Sequence, residues 1–525
     1  MTVFCTSSVL SCALIANAAS SCPTDLDQDG STGFTDLVSL LGSWDTPEGD
    51  IDGDGNTGFP DLTALLSAFG PCAGPTFEEP FHLPSLRDPS TLDVEIVEDW
   101  HVDTIDGTTR QKVINIHVDD WWPGVEIRVP VRMIVPLNAS AQGFTITGAG
   151  LDDFEGDHPI SSDKQVALDA GAGVVITKIK SVNSYPELPS ENMMRQRFGA
   201  TLDWRYSEYF LWGSIMMRSI TAAFAEEEIQ AGPVVAHGNS KNGMTPLISS
   251  IQDDRITGVY SVVAGTAYTP IRALDPLALA EVTEANEDFE QARADDLPEG
   301  DQEWEYYYQG FNTELLLAAA EMGWSEQDMR DAMDRIADDI YLSENWEEVQ
   351  ARGVEYFCLP GSHDWVAYDV PTASQMLPDL RTYIQPNAGH GRAGHLDSPD
   401  EAQAKSAFFA QIFAGGDEGL EVPTMITNQD GNTLEVTVTF PKGGEPEDSR
   451  IFWMYDRGPD GSNWYLYELF PQDNWSTMTG NGSTWSASIE LEPGHSTIDI
   501  ITTHTKTVDE RLVPISAPYT RVPIQ

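Results

Sequence analysis

At 525 residues the chain is too long for one hydrophobic core, and a composition 41% hydrophobic with 14 Trp is that of a globular protein of several domains. Lys+Arg 28 against Asp+Glu 84 leaves a formal net charge of -56, spread along the chain. A surface of that sign repels nucleic acid and anionic membranes, which excludes both as natural partners, and it suits a medium whose counterions screen the self-repulsion.

Residues 1-18 read as a secretory signal. An apolar region ends in Ala16-Asn17-Ala18, an A-x-A cleavage pattern, with no Lys or Arg ahead of it. The expected location is therefore secreted or extracytoplasmic. No other stretch is long and apolar enough to span a bilayer. Of the 5 cysteines, Cys22 and Cys72 bracket one small segment and invite a disulfide in an oxidising compartment. Cys358, in the apolar run 354-VEYFCL-359, reads as a small buried hydrophobe.

Residues 19-74 carry an internal repeat, 25-DLDQDGSTGFTDLVSLLGSW-44 against 50-DIDGDGNTGFPDLTALLSAFG-70. Each half opens with D-x-D-x-D-G and places a further aspartate at loop position twelve. Asp25, Asp27, Asp29 and Asp36 supply hard oxygen ligands in the first loop, with the Ser31 carbonyl. Asp50, Asp52, Asp54 and Asp61 do so in the second, with Asn56 at the carbonyl position. So many carboxylates in one loop repel one another unless a cation sits among them, and oxygen donors at this spacing suit calcium, two sites in all. Each loop runs into an apolar segment of helical spacing. The duplicated unit resembles dockerin type I modules over roughly residues 22 to 72. That resemblance implies a cohesin-like partner, and a calcium-stabilised appendage is the alternative. The flanking Cys22 and Cys72 depart from the usual dockerin pattern.

From 75 to 416 strand and helix patterns alternate. Strands are predicted at 112-118, 126-136, 144-148, 173-179, 233-238, 256-265, 353-361 and 381-389, with a long helix over 206-229. Apolar, β-branched runs alternating with helices predict an α/β fold with a mostly parallel sheet, and an active site outside the carboxyl ends of its strands. In 236-AHGNSKNGM-244 an apolar strand gives way to Gly238, Ser240 and a helix start. This is the strand-to-helix turn on which α/β-hydrolases present a nucleophile, G-x-S-x-G, with the second glycine one place late at Gly243. Downstream, Asp364 follows the end of one predicted strand and His390 the end of the next, giving the chain order Ser, Asp, His. Asp369 competes with Asp364, and His237, His363 and His395 compete with His390. The oxyanion hole is expected from the Lys241 backbone N–H and from one of Gly148, Ala149 or Gly150, where 147-TGAG-150 ends an earlier strand.

The segments 233-263 and 353-391 resemble the PhoPQ-activated pathogenicity-related proteins. The resemblance rests on Gly238, Ser240, Lys241 and Gly243, on Asp254-Arg255-Ile256, and on Pro386-Asn387 with His390. It implies an α/β-hydrolase with a β-rich tail and carries no settled substrate. The chain departs from that family in Asn242-Gly243-Met244 after the lysine and in Gly361-Ser362-His363-Asp364 at the acid loop. A second stretch, Gly238 to Gly243, is similar to the G-C-S-R-N-G turn of glucuronoyl esterases.

An acidic helical insert is expected over 268-352. It holds a capping box at Ser325 and Asp328 and aromatics Trp304, Tyr306, Tyr307 and Tyr308 that suit either a lid or a buried underside. From 417 to 525 short alternating runs predict a β-sandwich that braces the hydrolase or binds carbohydrate. The expected function is a secreted serine hydrolase acting on an ester or amide carbonyl without a catalytic cofactor. A carbohydrate esterase and a non-catalytic binding scaffold are the alternatives.

Overall fold

The structure is a computed structural model that describes residues 24, 26, 31-51, 55-71, 81-122, 125-181, 198-267, 319, 322-364, 370-392, 394-441, 444-457 and 469-525. The signal segment, Cys22 and Cys72, Asp25, Asp27, Asp29, Asp52, Asp54 and Asp369, and the insert's aromatics Trp304, Tyr306, Tyr307 and Tyr308 all lie outside those residues. The chain divides into two compact units, Met1–Thr76 with Ala320–Trp324, and Phe77–Ala319 with Ser325–Gln525.

In the first unit each half of the repeat ends in a helix, Phe34–Gly42 and Phe59–Ser67. Leu40 and Leu65, equivalent in the two halves, are buried, and two short strands, Ser31–Thr32 and Gly70–Pro71, pair antiparallel. Asp36 and Asp61 are buried at the two helix starts. Asp36 accepts the N–H groups of Leu26 and Gly33, and Asp61 those of Ile51 and Gly58, all at 2.6 Å. A carboxylate there bonds the residue just before the helix, closing the turn onto its start, and faces the positive end of the helix dipole.

The second unit is built on one eight-stranded sheet. Its strands are β1 (Val94–Val102), β2 (Thr109–Trp122), β3 (Val125–Pro136), β4 (Ala141–Gly148), β5 (Gly173–Thr177), β6 (Ile229–Asn239), β7 (Gly258–Val262) and β8 (Glu355–Leu359). The spatial order is β8-β7-β6-β4-β5-β3-β2-β1. Pairing is parallel from β5 through β4, β6 and β7 to β8, and antiparallel from β5 through β3 and β2 to β1. The sheet is therefore mixed, with its parallel half where the apolar runs predicted it. β5 and β7 are buried along their whole length, as strands covered on both faces must be.

Seven helices matter to the site: α1 (Ser162–Asp169), α2 (Glu208–Phe224), α3 (Lys241–Gln252), α4 (Glu326–Ile340), α5 (Leu342–Ala351), α6 (Val370–Met376) and α7 (Ala404–Ala414). α1 packs with α7 against the sheet, and α2 packs with α3, which in turn meets α4 and α5. α4 opens on the expected capping box, the Ser325 hydroxyl accepting the Asp328 N–H and Asp328 the Ser325 N–H.

Two expectations are corrected. β1 was not anticipated, because its run VEIVEDWHV is acidic and mostly exposed, as charged edge strands are, and carries no buried alternation. The strand expected at 381-389 is reduced to isolated parallel bridges, Cys358 with Thr382 and Gly361 with Gln385. There the Ser516 N–H donates to the Thr382 carbonyl, and the Ile384 N–H to the Ser516 hydroxyl.

Two antiparallel sheets follow. One holds Thr424–Asp430, Thr433–Thr439, Thr484–Glu490 and Thr479–Asn481; the other holds Trp475–Thr477, Asp448–Tyr455, Thr497–Val508, Arg511–Ile515 and Thr520–Pro523. Alternate residues Leu434, Val436 and Val438 meet Ile451, Ile489, Ile498 and Ile500 between them, which makes a sandwich core. Other apolar residues of this region pack outside that core. Val508 and Val513 pack with Phe357, Phe408 and Phe409, while Phe452, Phe470, Ile501 and Tyr519 pack with Val370 and Ile384.

Candidate active site

The order of strands creates the site. From β4 the chain goes to β5 on one side, and β6 lies on the other, so the connections leaving β4 and β6 diverge and leave a crevice at their carboxyl ends. Ser240 stands there, between β6 and α3, at φ 56 and ψ -129. A non-glycine residue in that conformation stores about 1–3 kcal/mol of strain and persists only where its surroundings enforce it. They do. The Ser240 N–H donates to the Val262 carbonyl at 2.9 Å, and its carbonyl accepts Gly243 at 2.7 Å and Met244 at 2.8 Å to start the helix. A methyl group on Gly238 would overlap the Asn242 carbonyl, and one on Gly243 would lie 2.7 Å from the Val262 oxygen. The late glycine thus serves close helix-to-strand packing from position 243.

Lys241 is the first residue of α3, so its N–H has no acceptor within the helix and is a candidate oxyanion donor. Its ammonium donates to the Ser181 hydroxyl at 2.9 Å. Burial pulls its pKa below the ordinary lysine value, Lys178 adds to that, and Glu208 opposes it.

Asp364 and His390 come together. Past β8 the Ser362 N–H donates to the Gln385 carbonyl at 3.1 Å and the His363 N–H to the Ala388 carbonyl at 3.0 Å. This lays the acid loop beside the histidine loop. Asp364, fully buried, holds one oxygen 3.1 Å from His390 Nδ1, and the imidazole is 28% exposed. A carboxylate only accepts, so across this contact Nδ1 is the donor, which leaves Nε2 outside the pair. Ser240 is tied to the end of β7 through Val262, and the Val263 N–H donates to Leu359 at the end of β8 at 3.1 Å. The Ser240 turn and the Asp364–His390 pair therefore leave the same edge of the sheet.

The competing histidines are all buried. His237 is buried with its ring 5.1 Å from that of Phe409, and burial holds its pKa well below the ordinary value. The buried His395 packs 5.0 Å from Phe452 and contacts the Pro471 carbonyl through Nε2 at 3.3 Å. His363 is buried, and desolvation, then Arg457, pushes its pKa down to about 3.

For the second oxyanion donor the structure corrects two of three candidates. The Ala149 N–H donates to the Thr177 carbonyl at 2.9 Å, and the Gly150 N–H to Asp153 at 2.9 Å, so neither faces the crevice. Gly148 ends β4, and the space a Cβ would fill there is occupied by the Asn242 side chain.

Sequence reasoning missed the residues that hold these loops. Arg132, fully buried, donates to the Asp153 carbonyl at 2.9 Å, to Gln111 at 2.8 Å and to the Gly156 carbonyl, which fixes the loop after β4. Asn387 and Arg457 do the same for the acid and histidine loops. A charged residue at an alternate strand position was the only local sign of Arg132.

Of the expected calcium ligands, Ser31, Asp36, Asp50, Asn56 and Asp61 lie among the described residues. Asp36 and Asp61 turn both oxygens into their loops, and each oxygen keeps a further lone pair beside its N–H partner. Among the described residues no group of three or more His, Cys, Asp or Glu side chains is arranged to hold a metal ion, and no helix is long and apolar enough to cross a membrane.

No family model matches the sequence. No curated protein matches it either. Similar solved structures include acetyl xylan esterase 1 from Thermoanaerobacterium sp. JW/SL YS485, at 14% identity over 63% of this chain and 91% of that one, TM-score 0.37. A glucuronoyl esterase from Solibacter usitatus has 12% identity over 52% and 69%, TM-score 0.29. An acetyl xylan esterase from Paenibacillus sp. R4 has 11% identity over 55% and 80%, TM-score 0.33. By its own strand order and its strand-to-helix serine turn, the chain has the α/β-hydrolase fold.

Proposed function

We propose that this chain is a serine hydrolase that cleaves a carboxylic ester, with Ser240 as nucleophile, His390 as base and Asp364 as the group that orients the imidazole. The observation that carries the reading is the strained Ser240 at φ 56 on a sheet edge that also bears the 3.1 Å Asp364–His390 pair. In this reading the Ser240 Oγ attacks the carbonyl carbon as His390 Nε2 takes its proton. The carbonyl π pair moves onto oxygen, where the Lys241 N–H meets it. Collapse expels the alcohol oxygen, which takes the proton from His390, and water then cleaves the acyl-serine by the same steps. Asp364 orients the imidazole and favours the imidazolium that forms.

A second reading is a carbohydrate esterase, favoured by the run GNSKNG at 238-243 and by a lysine ammonium at the nucleophile's own turn. The structures named above suggest its first substrates, acetylated xylan and a methyl glucuronate ester. Around this hydrolase we propose secretion through residues 1-18 and a calcium-stabilised appendage at 22-72. The resemblance would pair that appendage with a cohesin-like domain.

The test is turnover of p-nitrophenyl acetate, both carbohydrate esters and a peptide p-nitroanilide by wild type and Ser240→Ala. The variant should lose about 10⁴- to 10⁶-fold in kcat while unfolding at the wild-type temperature. Undiminished ester turnover would place the nucleophile elsewhere, and turnover of the anilide alone would replace the ester with an amide.

A further inference from the structure

The acid and histidine loops are held from the β-sandwich by buried polar bonds. Asn387, just ahead of His390, sits in the left-handed region at φ 60. Its Nδ2 donates to the Phe470 carbonyl and its Oδ1 accepts the Phe470 N–H, both at 2.7 Å, so the side chain pairs with Phe470 as a strand backbone would. The Asn387 backbone N–H donates to the Ser362 hydroxyl at 2.8 Å, which ties the histidine loop to the acid loop. On the other side of Ser362, its carbonyl accepts from the Arg457 guanidinium, which lies 5.3 Å over the Phe470 ring.

Arg457 is itself fixed. It donates to the Tyr519 hydroxyl at 3.2 Å, Tyr519 donates to Asp499 at 2.7 Å, and Arg521 grips both Asp499 oxygens. Ser362, Asn387, Arg457, Phe470, Tyr519 and Asp499 are each less than one-tenth exposed. Water cannot replace these bonds, so a group that loses its partner there is left with its full desolvation cost. A network satisfied in one arrangement selects that arrangement. It runs unbroken from the sandwich strands to the residues flanking Asp364 and His390.

We propose that Asn387 and Arg457 are positioning residues for Asp364 and His390, and that the β-sandwich is thereby a working part of the active site rather than an appended module. The proposal rests on the hydrolase reading above. It assigns the sandwich neither a ligand nor a reacting group. Its contribution is to hold the imidazole and the carboxylate at the distance and angle that proton transfer from Ser240 requires. A misplacement near 1 Å costs about 10²-fold in rate.

The experiment uses the full chain, with Asn387→Ala, Asn387→Asp, Arg457→Met and Arg457→Lys beside Ser240→Ala. Active sites are counted by labelling with a fluorophosphonate to completion, and kcat and KM for p-nitrophenyl acetate are expressed per labelled site. Asn387→Ala and Arg457→Met should lower kcat per site by about 10²-fold with KM within twofold, and Arg457→Lys, which keeps one donor, should recover about tenfold. Wild-type kcat per site, with only a lower unfolding temperature or fewer labelled sites, would make both residues structural and overturn the proposal. If Asn387→Ala does not fold, Asn387→Asp and the two Arg457 variants decide by the same criterion. Ester turnover surviving in Ser240→Ala would overturn the hydrolase reading itself, an outcome distinct from wild-type kinetics in the positioning variants.

Discussion

The N-terminal repeat and the catalytic edge both bury aspartates, and they do it in opposite ways. Asp36 and Asp61 bond N–H groups within their own loops, Leu26 and Gly33 in one half, Ile51 and Gly58 in the other. Asp364 meets an imidazole from the next loop, and its own loop is held by Arg457 from another sheet. A carboxylate bonded to its own neighbours is a local device that a repeat can copy. A carboxylate set against a histidine across a sheet edge depends on the whole fold to make one pair at 3.1 Å. The first should tolerate change without affecting chemistry elsewhere; the second should not.

The largest effect expected from this contrast is on turnover. Asp364→Asn replaces a carboxylate oxygen with an N–H donor, which holds His390 in the other tautomer, and should lower kcat by about 10⁴-fold with little loss of stability. Asp36→Asn and Asp61→Asn should leave ester hydrolysis unchanged, and steady-state kinetics on the three variants measures the difference directly. Gly238→Ala comes next. Its methyl group would overlap the Asn242 carbonyl and force the nucleophile turn open, so we expect a loss of about 1–3 kcal/mol in denaturant titration together with reduced fluorophosphonate labelling.

A third expectation concerns acid. Burial, with Arg457 second, holds His363 at about 3, and burial alone holds His504 at about 3, against an ordinary value of 6.5. The unfolded chain takes up protons between pH 6.5 and 3 that these folded histidines refuse. Stability is therefore fully present above pH 6.5 and falls as pH drops toward 3, by at most about 1.4 kcal/mol per pH unit for each histidine. Chemical denaturation of wild type and His504→Gln at pH 7.5, 5.5 and 4.5 should give a shallower decline in the variant. Equal slopes would mean that His504 titrates normally.

The smallest effect is on the appendage. Asp61→Ala should destabilise the first unit by about 0.5–2 kcal/mol through the lost helix cap. Calcium should raise the unfolding temperature of wild type through that unit and leave ester turnover as it was, which calorimetry with and without chelator can follow.

What was legible in the sequence follows the same division. Helix starts, the capping box at Ser325 and the apolar parallel strands are set by neighbours in the chain, and they lie close to where the pattern put them. The strand-to-helix turn at Ser240 was readable because strain, glycine spacing and helix start all occupy one short segment. β1 escaped because an edge strand needs no buried face, and its charges read as loop. The run after residue 381 does bond to the end of β8 through Arg381, Tyr383 and Gln385, while Thr382 and Ile384 turn to Ser516 of the sandwich on the other edge. Ala149 and Gly150 fitted the oxyanion role by composition. Only the fold reveals that Thr177 and Asp153 already hold their N–H groups. Asn387 was visible only as part of the Pro386-Asn387 run ahead of His390, and Arg457 carried no sequence signal at all, since its partners lie far along the chain.

The most direct test of the central claim is to label the native protein with a fluorophosphonate, digest it and map the modified peptide by mass spectrometry. The expected result is stoichiometric modification at Ser240, in the peptide containing HGNSKNG, which is abolished by prior denaturation and strongly slowed in Asp364→Asn. No modification of the native protein, or modification at another serine, would contradict it.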